Sequence, residues 1–267
     1  MTQLTFTLKL PLSHSLDCTK LTPDHLKGLS IAQIASITLN NQLVSALFEI
    51  TGNDTENIMF KNSSRFFENV GKNMASGSIT LEGDAGAYLG FGLKNGIIHC
   101  KGNAQAFAAC NMVSGILKID GNAGDFLGGA SSGLRKGMRG GTVIVKGNAG
   151  DRVGDQMRRG LILIEGNAGD YCASRMIAGT IGVLGNVGDY ACFNMKRGTL
   201  MLTKLPKLHA SIQDCGMHTL PFLNLMFKSF KPFNTRFSKV ETKRVQRFVG
   251  DAACNGNGEI LILCHSS

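Results

Sequence analysis

The sequence predicts a mainly β fold, a single-stranded right-handed parallel β-helix with about 19 residues per turn, flanked by small mixed α/β N- and C-terminal caps. Three observations support this prediction. Glycines recur at a fixed spacing, apolar and mixed residues alternate after each of them, and a second glycine followed by Asn or Asp comes next. The opening glycines of the seven units are Gly77, Gly96, Gly115, Gly141, Gly160, Gly179 and Gly198.

Each opening glycine is followed by the pattern of a half-buried strand. The second and fourth residues after the glycine are apolar in every unit, and the residues between them are mixed. Because equivalent strands recur at equal spacing, we expect them to pair in parallel, about 4.8 Å apart. The apolar pairs are Ile79 and Leu81, Ile98 and Cys100, Leu117 and Ile119, Val143 and Val145, Ile162 and Ile164, Ile181 and Val183, Leu200 and Leu202.

The corner after each of the first six strands combines glycine with Asn or Asp, as in Gly102-Asn103. Both residue types tolerate positive φ, so the chain can turn sharply there, and stacked Asn side chains can form a hydrogen-bonded ladder. A second strand with a mostly aromatic column is expected to follow, and then a column of apolar residues, nearly all methionine, that fills the core. The aromatic column is Tyr88, Phe107, Phe126, Arg152, Tyr171 and Tyr190, and the apolar column is Met74, Leu93, Met112, Met138, Met157, Met176 and Met195.

One unit is longer than the others. The spacing from Gly115 to Gly141 is 26 residues instead of 19, so this unit carries a seven-residue insertion within the stretch GGASSGLRKG. Its small and basic residues predict a loop that bulges from an otherwise uniform stack.

Three segments follow from where the period begins and ends. The glycine-rich β-helix is predicted over 57–204, with a degenerate first turn around Gly71. Residues 1–56 form an N-terminal cap or interface segment, with a strand at LTFTLKL and a helix that starts at Pro23. Residues 205–267 form a C-terminal helix and strand cap or interface, with an apolar helix ended by Pro232 and a strand at GEILIL. Such caps protect the unpaired strand edges.

The repeat carries little recognisable chemistry. A strand, not a helix, is expected after each glycine corner, so a phosphate loop is disfavoured. One Asp per unit is too sparse for a calcium repeat. The Asp column could be catalytic through coupled pKa values, but acceptance of backbone N–H groups is favoured. Cys215 and His218 supply only two possible metal ligands, so neither a metal site nor a catalytic residue is predicted. The Asp column is Asp125, Asp151, Asp170 and Asp189.

Composition narrows the class of protein further. The 28 Lys and Arg against 19 Asp and Glu give a net charge of +9, which would attract an acidic partner or an anionic coenzyme. Nucleic acid is disfavoured because Trp is absent and no aromatic-basic motif occurs. No apolar run is long enough to span a membrane and no signal-peptide pattern is present, so no membrane contact and a cytoplasmic location are expected. The eight cysteines lack a CxxC pair and are expected to be reduced and mostly packed as small apolar groups.

The positive charge is one-sided. Basic residues cluster before the opening glycines, and equivalent positions should align along one edge of the stack. This basic stripe either serves solubility or faces an acidic subunit or an anionic coenzyme. Its members are Lys94, Arg139, Arg158, Arg159, Lys196 and Arg197.

The repeated motif G-x-x-x-x-x-G-N-A-G-D-x-x-G resembles two families. One is the glycine-rich β-helix domain, of the GXGXG type, that ends the large subunit of glutamate synthase. The other is the C-type subunit of formylmethanofuran dehydrogenase and of the bacterial formyltransferase/hydrolase complex. The resemblance over 57–204 fits both families. The leader DCTKLTPDHLKGLS and the tail from LPFLNLMFKSF to RFVGDAACNGNGEILI favour the C-type subunit and extend the resemblance to nearly the whole chain.

Resemblance to the C-type subunit implies a non-catalytic scaffold of a complex that moves formyl groups between tetrahydromethanopterin and a methanofuran-type coenzyme, with release of formate in the bacterial form. It implies that this chain alone binds no cofactor, and that the methanofuran-type coenzyme and metals belong to hydrolase-like A, B-like and transferase-like D partners. The resemblance does not distinguish the archaeal assembly from the bacterial one. The other resemblance implies a free-standing spacer domain in glutamate biosynthesis. A third interpretation is an independent binding module with a ligand groove.

Overall fold

The computed structural model of the chain describes residues 2–264. Its first part alternates short strands with short helices. Pro23 occupies the first turn of one helix, and Ser30 begins the next with a capping box that it forms with Gln33. The elements are β1 (Gln3–Leu8), β2 (Leu16–Asp17), α1 (Pro23–Leu26), α2 (Ile31–Ala35), β3 (Thr38–Leu39), β4 (Gln42–Leu43), α3 (Val44–Leu47), β5 (Phe48–Thr51), β6 (Asp54–Lys61) and β7 (Phe67–Glu68).

Each repeat unit contributes one strand to a common parallel ladder. The predicted strands and their register are confirmed: Ile79 lies opposite Ile98, and the apolar second and fourth positions are buried in all seven units. The strands are β8 (Ser78–Leu81), β9 (Ile97–Cys100), β10 (Ile116–Ile119), β11 (Arg139–Val145), β12 (Arg159–Ile164), β13 (Thr180–Val183) and β14 (Thr199–Leu202).

The C-terminal part returns to the same sheet. The predicted helix and final strand are both confirmed, although the helix ends before Pro232, which lies in a separate 3₁₀ turn at Lys231–Phe233. The elements are β15 (Gln213–Thr219), α4 (Phe222–Ser229), 3₁₀ helices at Lys231–Phe233, Arg236–Lys239 and Ala252–Cys254, β16 (Arg244–Gly250) and β17 (Gly258–Leu263). The last of these strands pairs in parallel with β14.

The predicted single-stranded β-helix is wrong. The main structure is one open, mostly parallel 13-stranded sheet, in the order β15-β16-β17-β14-β13-β12-β11-β10-β9-β8-β6-β1-β5. The predicted terminal caps are not separate from it, since β1 and β5 extend one edge and β15, β16 and β17 extend the other.

The second strand expected in each unit does not form. On that side of the stack, neighbouring units share only single-residue bridges, such as that between Ala85 and Ala104. The aromatic column has left-handed backbone, with φ between 57° at Tyr171 and 65° at Phe107. A parallel strand needs φ of about −120°. Repeated left-handed residues instead curl the chain into consecutive turns.

The stacking contacts predicted for the corners and the core are confirmed. Asn122 Oδ1 accepts the Asn148 backbone N–H at 2.8 Å, and Asp125 Oδ1 accepts the Asp151 N–H at 2.8 Å. The same bonds recur along both columns. The methionine column is buried in the main core. The Asp column therefore has the structural role that was favoured for it.

A second apolar cluster lies on the opposite face of the sheet. The outward residues Leu163, Met201 and Leu261 are buried there beneath Phe227 and Phe237 of the C-terminal segment. The segment boundaries after residues 56 and 204 stay a prediction, and residues 1 and 265–267 lie outside the described part. Within 2–264, no helix combines the length and apolar character that crossing a bilayer requires.

Candidate functional site

The predicted basic stripe is divided into three groups. Lys94 stands apart, because the equivalent position in the next unit is Val113. Arg139 and Arg159 are paired across neighbouring strands, and Arg158 adjoins them in sequence. Lys196 and Arg197 follow two units later, beyond a unit that has Ile177 and Ala178 in these places. The structure thus brings together three of the six residues.

The central arginine group is electrostatically unbalanced. Arg139 lies opposite Arg159, and like charges in register on adjacent strands destabilise the pairing. The Arg158 Nε is buried without a hydrogen-bond partner, while its Nη2 donates to the Arg135 carbonyl at 3.5 Å. No stripe residue forms an ion pair with a carboxylate within the described part of the chain. This group would therefore gain from contact with an anion.

Lys196 has a different role from its neighbours. Its Nζ donates to the Cys254 carbonyl at 2.7 Å and so ties the last repeat unit to the C-terminal segment. Its charge is partly engaged in this structural contact, which leaves Arg197 as the freer member of the outer group.

A second basic site, which was not predicted from the sequence, lies beside α4. It is a cavity of about 500 Å³, lined by Lys228, Lys231, Lys243 and Arg244 together with a single carboxylate, Glu241. Half-buried Val240 and buried Phe227 and Thr242 provide further walls. A signal is present in FKSFKPFNTRFSKVETKR, where basic residues greatly outnumber acidic ones. Size and charge suit a small anion or an acidic side-chain cluster.

A polar network crosses the outer face of the first repeat strands. Asp120 accepts a hydrogen bond from Lys146 at 2.7 Å and lies 2.9 Å from the His99 Nε2. Burial alone would raise the pKa of Asp120, but hydrogen bonds from Lys146 and His99 outweigh it, and the pKa is lowered. The network therefore holds Asp120 as a carboxylate.

The cysteines are packed as expected. Five of the eight are buried, and burial raises the pKa of Cys100, Cys110 and Cys172 to about 12. These thiols are protonated at neutral pH, and the thiolate is the nucleophilic form. In residues 2–264, no three His, Cys, Asp or Glu side chains gather in a geometry that could hold a metal ion.

The chain is similar to a chain in the X-ray crystal structure of the formyltransferase/hydrolase complex (FhcABCD) from Methylorubrum extorquens, solved in complex with methylofuran. The sequences are 34% identical, the TM-score is 0.92, and the match covers 98% of this chain and 100% of the other. No protein-family model matches the sequence, and no curated protein matches it significantly.

Proposed function

The chain belongs to the family of formyltransferase/hydrolase complex subunits, and we propose that it is the C-type subunit, a non-catalytic scaffold of such a complex. The complex would transfer formyl groups between tetrahydromethanopterin and a methanofuran-type coenzyme and release formate. The observation that carries the proposal is the full-length match at 34% identity. It includes both flanks, whereas the resemblance to the glutamate synthase domain rests on the repeat alone.

The internal contacts support a scaffold role. Along the columns, Asn and Asp side chains of one unit hold the backbone of the next unit, and buried methionines fill the core. The carboxylates of the Asp column are thus engaged in stacking. A stack held by repeated short-range contacts is suited to present surfaces to partners at fixed separations.

The partners we propose are the hydrolase-like A, B-like and transferase-like D subunits. The arginines at positions 139, 158 and 159, which form no ion pair, support an acidic contact where β11 and β12 begin. That contact is either an acidic patch of a partner or the anionic part of the coenzyme, because both offer carboxylates to arginine. The methanofuran-type coenzyme and metals would be held by partner subunits.

Affinity purification of the chain from its native cells at low salt, followed by mass spectrometry, tests this proposal. We expect a hydrolase-like and a transferase-like subunit to copurify with it. Copurification of glutamate synthase chains would contradict the proposal, as would recovery of the chain by itself.

A further inference from the structure

Residues at equivalent positions of the repeat units can be compared directly, so a residue that departs from its column is easily recognised. Four exceptions fall in consecutive units. Residues 130–136 are inserted after Gly129, Arg152 interrupts the aromatic column, and Asp155 and Arg175 replace residue types found elsewhere in their columns. The equivalents of Asp155 are Phe91, Cys110, Gly129, Ser174 and Phe193, and those of Arg175 include Asn111, Gln156 and Asn194. Stacking does not require these changes, since the other units stack without them.

The inserted loop is fixed at its base. The Ala130 backbone N–H donates to the Asp155 carbonyl at 3.0 Å, and the Gly137 N–H donates to the Gln156 carbonyl at 3.0 Å. A Cβ at position 137 would lie 2.7 Å from the Asp155 carbonyl oxygen, so glycine is required for this close approach. Both ends of the loop are therefore anchored on backbone carbonyls of the next unit, one at Asp155 and the other at Gln156.

Asp155 in turn fixes an arginine. Its side chain is only 1% exposed and accepts hydrogen bonds from the Ser174 hydroxyl at 2.8 Å and from the Arg175 Nε at 2.9 Å. The Arg175 Nη2 donates to the second carboxylate oxygen, which completes a fork-like pair. The Arg175 side chain is 47% exposed. Asp155 thus orients the guanidinium while part of it stays accessible to a ligand.

A cavity of about 330 Å³ lies between the loop and the turns. Arg135 and Arg175 line it, together with the hydroxyl-bearing Ser131 and Ser132 and the rings of Phe107 and Phe126. Because the Asp155 charge is matched by Arg175, the Arg135 charge is in excess. Stacked aromatic rings continue along one side, with Phe107 and Phe126 centroids 5.0 Å apart.

We propose that this cavity binds a carboxylate attached to a flat apolar group. Arg135 and the accessible edge of Arg175 bind the carboxylate, and the serine hydroxyls donate to it. The edge of the Phe126 ring contacts the apolar part, because Phe107 and Arg152 cover the two faces of that ring. The ligand is either a free small carboxylate or a carboxylate carried by a partner chain. The site does not depend on the proposed function, because its residues are recognised as exceptions within the repeat.

Calorimetric titration with N-acetylphenylalaninate tests the site, with uncharged N-acetylphenylalaninamide as the matched probe. We expect the carboxylate to bind at least about 10-fold more tightly than the amide. Deletion of residues 130–136 restores the regular 19-residue spacing and should preserve folding while it abolishes binding. Arg135→Gln, which leaves the Asp155–Arg175 pair intact, should weaken binding about 10-fold. Arg65→Gln removes one exposed arginine that belongs neither to this cavity nor to the basic stripe, and should leave the affinity unchanged.

Absence of saturable binding, equal affinity for the two probes, or unchanged affinity after the deletion would overturn the proposal. Repeating the titration on the purified complex separates the two sources of ligand. Loss of probe binding on assembly assigns the carboxylate to a partner chain, and retained binding assigns the site to a free ligand.

Discussion

Gly182 of β13 and Phe237 are in contact on the outer face of the sheet, at a distance that leaves no room for a side chain at position 182. A Cβ at position 182 would lie 2.7 Å from the edge of the Phe237 ring. Phe237 is itself fully buried and packs edge-on against Phe230. The glycine therefore makes a recess that receives the C-terminal segment.

Gly182→Ala should destabilise the packing of the C-terminal segment by about 1–3 kcal/mol, because the added methyl group overpacks a rigid aromatic contact. Urea unfolding of the variant measures the change in the free energy of unfolding. Phe237→Leu in the same chain should recover part of the loss, since it removes the ring atoms that the methyl group meets. An unchanged free energy of unfolding in Gly182→Ala would contradict this explanation of the contact.

The Asp155–Arg175 pair should respond asymmetrically to mutation. Arg175→Gln leaves a carboxylate that is 1% exposed without its cation, which should cost about 3 kcal/mol of unfolding free energy or more. Asp155→Asn leaves an arginine that remains 47% exposed, and the loss should be nearer about 1 kcal/mol. Chemical unfolding of both variants compares the two costs. Equal losses of unfolding free energy in the two variants would show that the burial of Asp155 does not set the cost of breaking the pair.

The Asp120 network predicts a pH dependence of stability. Because folding lowers the pKa of Asp120, the folded protein binds this proton less readily than the unfolded chain. The Asp120 carboxylate therefore makes its full contribution to the free energy of unfolding above the unfolded-state pKa of about 4. This contribution disappears as the pH falls through the lower folded-state pKa. Asp120→Asn should therefore be less stable than the wild type at neutral pH, by no more than about 1 kcal/mol, since the pair is partly exposed. Urea unfolding from neutral to acidic pH should show the two proteins converging at low pH, and a constant difference would exclude this linkage.

Removing charge from the central arginine group should weaken partner binding. Arg158→Gln with Arg159→Gln should lower the affinity several-fold and reduce its dependence on salt, because fewer charges are screened. Lys27→Gln with Lys61→Gln removes the same charge from exposed positions before the first of the seven repeat units and provides the matched control. Partner affinity measured at low and high salt distinguishes the two pairs. If the arginine and lysine double variants have the same partner affinity and the same salt dependence, the central arginine group is not part of the interface.

The parts of the fold that repeat could be predicted from the sequence. Strand positions followed from apolar alternation, and the ladder at the corners followed from the recurrence of Asn. The positive φ expected at the corners is not found, for example at Gly102 and Asn103. The corner glycines instead let neighbouring units approach closely, since a Cβ at position 102 would lie 2.7 Å from the Gly83 carbonyl oxygen. The turn after each corner could not be predicted in the same way, because residues such as Tyr88 and Phe107 favour strands in general but adopt left-handed backbone here. Contacts with neighbouring units override that local preference.

The covering of the outer face was not predicted, although a signal existed. Outward positions change from Thr80 and His99 in the first strands to Leu163 and Met201 in later ones. An outward apolar residue in a half-exposed strand indicates a further layer, and the C-terminal segment provides it. Which basic residues meet was likewise set by the fold, since Lys228 belongs to α4 and Arg244 to β16, yet both line one cavity.

Reconstitution of the complex with and without this chain tests the scaffold role. The partner subunits would be purified separately, mixed in both ways, and assayed for formyl transfer and formate release. We expect coupled activity and stable assembly both to require this chain, while each partner retains its own partial reaction without it. Full coupled activity in its absence would contradict the scaffold role, as would a partial reaction carried out by this chain alone.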